Sequence, residues 1–281
     1  MPAIGPALVG HALDPIEWSW TDRDVILYAL SVGARLPGDL AYLYERDGPV
    51  VAAPFPLVAT TLALPPMVAA LGIDLKALLH ASQAIELRRV PAPEGRATIT
   101  RTVTGVWDKG SAAIVDVEDS IEDDADAGPL AVARSSWWVA GAGGFGGERG
   151  ARPARDPLPV GPAPDLRATI PTSPEQAALH RLAGDRNPVH IDPELARAAG
   201  QPRPFLHGLC TLGALGHALD RAAGTHRRLT SLAGRFTRPV FPGDTLFAEA
   251  FHDGEDATRA RVRVGDDVVL NDAVAAYGPT T

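Results

Sequence analysis

The chain has 281 residues, a formal net charge of −8 at pH 7 and an isoelectric point near 5.5. This acidic balance argues against nucleic acid as a partner. No apolar run reaches the roughly 18 residues that a membrane helix needs, and no secretion leader is evident, so we expect a cytoplasmic protein with no membrane partner. Cys210 is the only cysteine, which excludes an intrachain disulfide and a cysteine-rich metal site.

The chain begins with an irregular arm and a helix. Residues 1–20 are rich in proline, and Trp18 and Trp20 are expected to pack as an arm. A helix is predicted from the cap at Thr21 to about Gly33, because apolar residues recur there at helical spacing.

The rest of the first half predicts little further helix and a block of strands. A short strand is predicted over Ala41–Glu45. Residues 49–72 are apolar, but four prolines prevent a long straight helix, and at most a short one over Met67–Leu71 is predicted. Four antiparallel strands are then expected, over Ser82–Arg89, Ala97–Val106, Ala112–Glu118 and Leu130–Ala140.

The second half repeats this order after a segment rich in glycine and proline. Its predicted elements are helices over 173–182, 192–199 and 207–223 and strands over 229–236, 246–251, 258–264 and 267–277. The segment Pro91-Ala-Pro-Glu-Gly95 has a counterpart of the same spacing at Pro239-Val-Phe-Pro-Gly243, 148 residues later. We therefore predict a duplication, with an N-terminal domain over 1–140, a linker over 141–164 and a C-terminal domain over 165–281.

The chemistry-bearing stretch is Leu182-Ala-Gly-Asp-Arg-Asn-Pro-Val-His-Ile-Asp192. Pro188 disfavours helix at the residue before it, so this stretch is predicted to be a fixed loop on which Asp185, Asn187 and His190 converge. A carboxylate and an imidazole held together can activate a water molecule and return its proton. The ordinary alternative is a helix end at Gly184, followed by a turn.

A second motif lies close behind, where Pro204-Phe-Leu-His-Gly-Leu-Cys210 opens a long apolar helix. The loop pattern G-D-x-N-P-V-H from Gly184 to His190, followed by His207-Gly208, resembles the signature of MaoC-like proteins, the (R)-specific or type-2 enoyl-CoA hydratases. The resemblance implies an α+β fold of two hot-dog repeats, each an antiparallel sheet wrapped around a helix. The prolines of the first half predict that its helix is broken.

The same resemblance implies reversible, stereospecific hydration of a trans-2-enoyl-CoA to a (3R)-3-hydroxyacyl-CoA. Asp185 and His190 would hold the water, and the sequence does not decide which of them removes its proton. The N–H of Gly208 would polarise the thioester oxygen, and Asn187 would orient the loop or bind the thioester arm. No metal and no cofactor are expected, since CoA is part of the substrate.

Contacts to the substrate and its CoA are expected from residues outside the acid–base pair. The residues assigned to them are His80, Ala81, Lys109, Arg186, Pro188, Val189 and Phe236. Ala81 departs from the family glycine, so His80 could equally be an ordinary strand histidine. Likewise, Lys109 could be an exposed hairpin lysine and Phe236 a core aromatic residue.

Two other functions remain open at this point. The same residues could dehydrate a 3-hydroxyacyl thioester of CoA or acyl carrier protein, and a hot dog can also bind acyl thioesters without catalysis. A thioesterase does not fit the loop pattern. The sequence leaves the natural acyl group, the pathway and a homodimer undecided.

Two finer expectations concern the first half. Glu45 is expected to pair with Arg181, because a partly buried carboxylate needs a partner. The broken helix is expected to leave a cavity for medium, long or bulky acyl chains, unless the proline-rich segment fills that space itself. The residues expected to line the cavity are Leu57, Val58, Leu62, Leu64 and Met67.

Overall fold

The computed structural model describes residues 4–46, 48–124, 128–150, 158, 163–224 and 227–279. The strands are β1 Ile16–Trp20, β2 Leu78–Leu87, β3 Gly95–Asp108, β4 Ala112–Asp123, β5 Gly128–Ala140, β6 Leu166–Pro171, β7 Arg227–Phe236, β8 Thr245–His252, β9 Ala257–Val264 and β10 Asp267–Pro279. The helices are α1 Asp22–Ser31, α2 Leu40–Leu43, α3 Leu57–Leu62, α4 Leu64–Leu71, α5 Gln176–Leu182, α6 Pro193–Ala198 and α7 Gly208–Ala223. Within the described part, no helix is long and apolar enough to cross a membrane.

All ten strands form one sheet in the order β1-β3-β4-β5-β2-β7-β10-β9-β8-β6. Read outward from the centre, the two halves use the same order of equivalent strands. They meet where β2 and β7 pair antiparallel, with Ala84 opposite Ala233. The predicted α+β fold of two hot-dog repeats is therefore confirmed.

The C-terminal half wraps its strands around α7, which no proline interrupts. Apolar side chains on nearly every side of this helix are buried, among them Leu212, Leu215 and Leu219. A helix that is apolar on all faces belongs inside a core. This long central helix confirms the helix predicted over 207–223.

The N-terminal half carries two short helices, α3 and α4, in place of one long helix. Pro65 and Pro66 fall in the first turn of α4, where a missing N–H breaks no intrahelical bond. The predicted break is confirmed. The helical content is larger than predicted, because these prolines start a second helix instead of ending all helix.

The space beneath these helices is filled by the protein. Leu57, Val58, Leu64 and Met67 are all buried, in two apolar clusters. Between the clusters, Arg101 donates from Nε and Nη2 to the two carboxylate oxygens of Asp119, at 2.7 and 2.8 Å, and both residues are fully buried. The expectation of an open cavity lined by these apolar residues is therefore wrong, and the alternative of a self-filling segment fits.

Two local predictions are also wrong. Residues 41–45 are not a strand, since the helix α2 covers Leu40–Leu43. Glu45 is exposed, and no ion pair joins it to Arg181 in the described part of the chain. An exposed carboxylate is solvated by water and needs no partner.

The two edge strands of the sheet were missed. The strand β1 lies in the arm that was predicted to be irregular, and no element was predicted at β6. Within the predicted 141–164 linker, Gly144 and Gly146 are held by their N–H groups against Asp108. Residues 151–157 and 159–162 of that linker lie outside the described residues. The domain boundaries stay a prediction.

Candidate active site

The catalytic loop starts at a glycine that no other residue could replace without strain. After α5 ends, Gly184 has φ +155°, and a Cβ there would lie 2.6 Å from Cγ1 of Val58. Both the backbone conformation and the contact require glycine. This contact joins the loop of the C-terminal half directly to α3 of the N-terminal half.

The loop is held by its own polar side chains. Oδ1 of Asp185 accepts from the N–H of Asn187 at 3.0 Å. Oδ1 of Asn187 accepts from the N–H of Val189 at 3.2 Å, which caps the single 3₁₀ turn Pro188–His190. The Asn187 side chain is thus engaged within the loop. Of its two expected roles, this geometry matches the orienting one.

His190 is buried and has a defined tautomer. Its Nδ1 lies 2.8 Å from the carbonyl oxygen of Phe205, and a carbonyl only accepts, so Nδ1 carries the hydrogen. In the neutral ring Nε2 then keeps its lone pair. Burial lowers the pKa of His190 while Asp185 opposes this shift. At neutral pH the imidazole is therefore a neutral base.

Asp185 and His190 converge as predicted, and His207 joins them. Ligand atoms of these three residues lie within 4.8 Å of one another. One water with two hydrogen bonds of about 2.8 Å spans such a gap. The His190 and His207 rings are 3.8 Å apart between centroids. The site therefore has the geometry to hold a water between a carboxylate and a neutral imidazole.

The same three residues are also the donor types of a zinc site. Two imidazoles and one carboxylate close together are chemically able to take a divalent ion. The metal independence expected from the sequence therefore stays a prediction, which metal analysis of the purified protein tests.

Gly208 is the first residue of α7, so its N–H has no intrahelical acceptor and lies at the positive end of the helix dipole. A Cβ on Gly208 would lie 3.1 Å from the Phe236 ring. Phe236 in turn lies 4.9 Å from the His80 ring, which stacks on Trp137 at 4.1 Å. The sequence-predicted residues Gly208, Phe236 and His80 therefore form one continuous wall.

His80 reaches this wall across the seam between the halves. It lies on β2 of the N-terminal half, where the pairing with β5 shifts register at Ala81. Burial, and secondarily the charge of Arg101, lower the pKa of His80 to about 3. The ring is neutral, and its Nε2 is buried without a hydrogen-bond partner among the described residues.

The remaining predicted contacts lie at the surface of the site or away from it. Arg186 and Pro188 are exposed, and Val189 is half-buried. Lys109 donates to the carbonyl of Arg149, in a turn held by Asp108. The N–H groups of Gly144, Gly110 and Gly146 bind that carboxylate and lower its pKa. No contact in the described structure links Lys109 to Asp185 or His190.

Sequence reasoning assigned no role to His180, which the structure brings into the site. Its Nδ1 lies 3.0 Å from Oγ of Ser31, and its ring is 4.9 Å from His207. Burial lowers its pKa to about 3. The only indication of His180 in the sequence was that a polar residue falls on the buried face of α5. Such a residue does not indicate a particular function.

Two hot-dog repeats and a loop that carries Asp185 and His190 define a double hot-dog protein with a candidate active site. Models of two families match the chain: the MFE-2 hydratase 2 N-terminal domain over residues 18–141 and the MaoC like domain over 157–273. The chain belongs to this MaoC-like, hydratase 2 family.

Individual relatives are similar to this chain over almost its whole length. The enoyl-CoA hydratase ChsH3 of Mycobacterium tuberculosis is 41% identical over 265 residues, covering 90% of this chain and 91% of its own. The 3-hydroxyacyl-thioester dehydratase Y of the same organism is 38% identical, covering 98% and 99%. The crystal structure of a MaoC-like dehydratase from Phytophthora capsici superposes with a TM-score of 0.83 at 27% identity, covering 99% and 98%.

Proposed function

We propose that this protein reversibly hydrates trans-2-enoyl-CoA thioesters to (3R)-3-hydroxyacyl-CoA. The observation that carries the proposal is the approach of Asp185 and His190 within 4.8 Å. The name of the M. tuberculosis relative, an enoyl-CoA hydratase, supports the same substrate class. The (R) configuration rests on membership of the type-2 hydratase family.

The first step is activation of the conjugated thioester. Its carbonyl oxygen accepts the N–H of Gly208, and the α7 dipole adds to this stabilisation. One such donor typically lowers a barrier by roughly 3–4 kcal/mol. As the oxygen gains negative charge, C3 becomes electrophilic.

The second step uses the loop. A water between Asp185 and Nε2 of His190 loses one proton to the neutral imidazole, and its oxygen bonds to C3. The C2–C3 π electrons move through the thioester onto its oxygen. The resulting enolate then takes the proton from His190 at C2, which restores the neutral ring and the carbonyl. Asp185 accepts a hydrogen bond from the other O–H of the water, whose hydrogen stays on the product hydroxyl, and stabilises the transient imidazolium.

The remaining wall residues are assigned to the thioester arm and CoA. His80 and Phe236 flank the region beside Gly208, so they would contact the thioester and the pantetheine. Arg186, Pro188 and Val189 would border the entry, and Lys109 would face the CoA phosphates. The assignment of Lys109 rests on the family pattern alone, and the others rest also on their places around the loop.

Loss of the enoyl-thioester absorbance tests the reaction, with crotonyl-CoA, trans-2-decenoyl-CoA and a branched enoyl-CoA as substrates. We expect turnover and a (3R) product on chiral analysis. A (3S) product would reject the stereochemistry, and unchanged absorbance with every substrate would reject the activity. The specificity constants also test the predicted preference for medium, long or bulky tails.

The name of the second M. tuberculosis relative favours one alternative, dehydration of a 3-hydroxyacyl thioester. The residues would be the same, with the proton leaving C2. Comparing 3-hydroxyacyl-CoA with 3-hydroxyacyl carrier protein as substrate distinguishes the carriers. A carrier-protein specificity constant far above that of CoA would replace the hydratase proposal by this one. Cytoplasmic location and a homodimer also stay predictions, for fractionation and sedimentation to test.

A further inference from the structure

We propose that Asp185, His190 and His207 together form an inhibitory binding site for Zn²⁺ and similar divalent ions. The metal site stands on the geometry of these three residues, while its effect on activity rests on the proposed function. Two imidazoles and one carboxylate offer ligand atoms that lie within 4.8 Å of one another. Such a set favours Zn²⁺ over Mg²⁺, because Mg²⁺ binds mainly through oxygen.

Each imidazole already has the tautomer that a metal ligand needs. Nδ1 of His190 donates to the carbonyl oxygen of Phe205 at 2.8 Å, which leaves the lone pair on Nε2. Nε2 of His207 lies 3.3 Å from the carbonyl oxygen of Asp185, so Nε2 carries the hydrogen and Nδ1 keeps the lone pair. Metal-bound histidines almost always donate their second N–H in this way. Both rings are therefore oriented before an ion binds.

The lone pair of His207 is the second observation that indicates a ligand. His207 is 1% exposed, and its Nδ1 is buried without a hydrogen-bond partner among the described residues. A buried polar atom without a partner costs free energy, and the proposed hydration steps do not use this lone pair. Burial and the neighbouring His190 and His180 hold the pKa of His207 well below 6.5. At neutral pH no proton on this ring competes with a metal ion.

Asp185 adds the carboxylate from the loop. Its Oδ1 accepts from the N–H of Asn187, which orients the carboxylate, and the residue is partly exposed, so an ion can reach it from solvent. In a tetrahedral site with bonds of about 2.1 Å, ligand atoms lie about 3.4 Å apart. The spread of 4.8 Å must therefore contract by roughly 1.4 Å when zinc binds. This rearrangement weakens the affinity and keeps the binding reversible.

Zinc at this site would stop hydration for a defined reason. The ion takes the lone pair on Nε2 of His190, which is the proposed base, and it occupies the place of the attacking water. A chelator should therefore restore the rate. Mg²⁺ at the same concentration should not lower it.

The first measurement is calorimetric titration of the chelator-treated full chain with ZnCl₂. His207→Gln keeps an amide N–H that can donate to the carbonyl of Asp185, but it removes the imidazole lone pair. The matched control is His217→Gln, which replaces another buried histidine of α7, beside Asp39. The wild type and the control should bind zinc equally. The affinity of His207→Gln should be at least about tenfold weaker, since loss of an outer-shell partner alone costs about 10–100-fold.

The second measurement is the ZnCl₂ concentration that halves the rate of crotonyl-CoA hydration, which should rise by the same factor in His207→Gln. Absence of zinc binding to the wild type, or equal affinity in all three proteins, would overturn the site. If the wild type binds zinc but hydrates no enoyl-CoA, the proposed function fails and the metal site stands. Hydration that requires zinc, or zinc binding without inhibition, would overturn the inhibitory role. If His207→Gln does not fold, Asp185→Asn takes its place in the calorimetry, with the same loss expected.

Discussion

The two halves of this molecule share a strand order and differ in what covers the inner face of the sheet. In the C-terminal half, α7 is continuous, and its first N–H group, on Gly208, opens at the catalytic loop. In the N-terminal half, α3 and α4 are short, and a buried Arg101–Asp119 pair lies beneath them. In the proposed reaction, the intact central helix supplies an oxyanion donor at its start. The half without such a helix contributes His80 to the proposed substrate wall.

The largest expected effect is a loss of hydration activity, because the proposed acid–base residues lie in the C-terminal half only. Asp185→Asn and His190→Ala should each lower the hydration rate by roughly 10²–10⁴-fold, because each removes one of the two groups that hold and deprotonate the water. Steady-state kinetics with crotonyl-CoA measures the loss, and thermal unfolding checks that the fold is kept.

The control for this pair is His252→Ala. His252 is exposed at the end of β8 in the same half, outside the loop, so its replacement should leave the rate unchanged. Near-normal activity of either loop variant would reject the acid–base pair.

A second prediction compares the stability contributed by equivalent hairpins of the two halves, β3–β4 and β8–β9. Arg101 and Asp119 are cross-strand partners on β3 and β4 and fully buried. Glu249 and Arg261 are cross-strand partners on β8 and β9, at 2.6 Å, with side chains 18% and 32% exposed. Arg101→Met should lower the free energy of unfolding by about 3–5 kcal/mol, because it leaves a buried carboxylate unpaired. Arg261→Met should cost about 1 kcal/mol or less.

Chemical denaturation of both variants measures this contrast. The double replacement Arg101→Met with Asp119→Leu should recover most of the lost stability, since no uncompensated charge then remains. Equal losses for Arg101→Met and Arg261→Met would show that burial of the pair does not distinguish the halves.

The buried histidines predict a third effect, which depends on pH. Burial lowers the pKa of five histidines, which are His80, His180, His190, His207 and His217. When the protein unfolds these rings take up protons, so native stability is full above the unfolded pKa and falls as the pH drops through it. His80, His180 and His207 should each cost about 2 kcal/mol at pH 5 relative to pH 7.5. His190 and His217 should each cost less, because Asp185 and Asp39 oppose the lowering of their pKa.

Melting temperatures between pH 7.5 and 5 test this dependence. His180→Phe removes one of the five titrating rings and should reduce the slope by about a fifth to a quarter. Because four of the five rings lie in the C-terminal half, the variant tests whether acid destabilises the catalytic half. A slope identical to that of the wild type would contradict the assignment.

The contrast between the halves also explains which predictions succeeded. The loop was predictable because its turn is fixed locally, by Pro188 and by the bonds that the Asp185 and Asn187 side chains make two residues further on. His80 could be named from its motif, but its approach to Phe236 depends on the β2–β7 pairing, which no local pattern specifies.

The failures have physical reasons of the same kind. Five residues at 41–45 are too few for alternation to distinguish a strand from a helical turn. Prolines 65 and 66 were treated as helix breakers, although at the first turn they are compatible with helix. The space beneath α3 was expected to be open. The sequence does not show that Arg101 donates to the carbonyl of Thr60 on α3, so the filling of this space could not be predicted. The ion pair predicted for Glu45 assumed burial that the residue does not have.

The smallest effect concerns the equivalent helix starts of the two halves. At α1, Oδ2 of Asp24 accepts from the N–H and the hydroxyl of Thr21, both at 2.9 Å and exposed. At α5, Oε1 of Gln176 accepts from the N–H of Ser173 at 3.2 Å, but Gln176 is buried. Gln176 also bonds across to the first half, through Arg35 and the carbonyl of Ser31.

These contacts predict unequal losses for the same kind of change. Asp24→Ala should lower the free energy of unfolding by about 0.5–1 kcal/mol, the usual cost of an exposed cap. Gln176→Ala should cost about 2 kcal/mol, because it also leaves the buried carbonyl of Ser31 with only the weak thiol donor of Cys210. Urea denaturation of the two variants measures the difference. A larger loss for Asp24→Ala would mean that local capping, and not the contact between the halves, sets the stability of this helix pair.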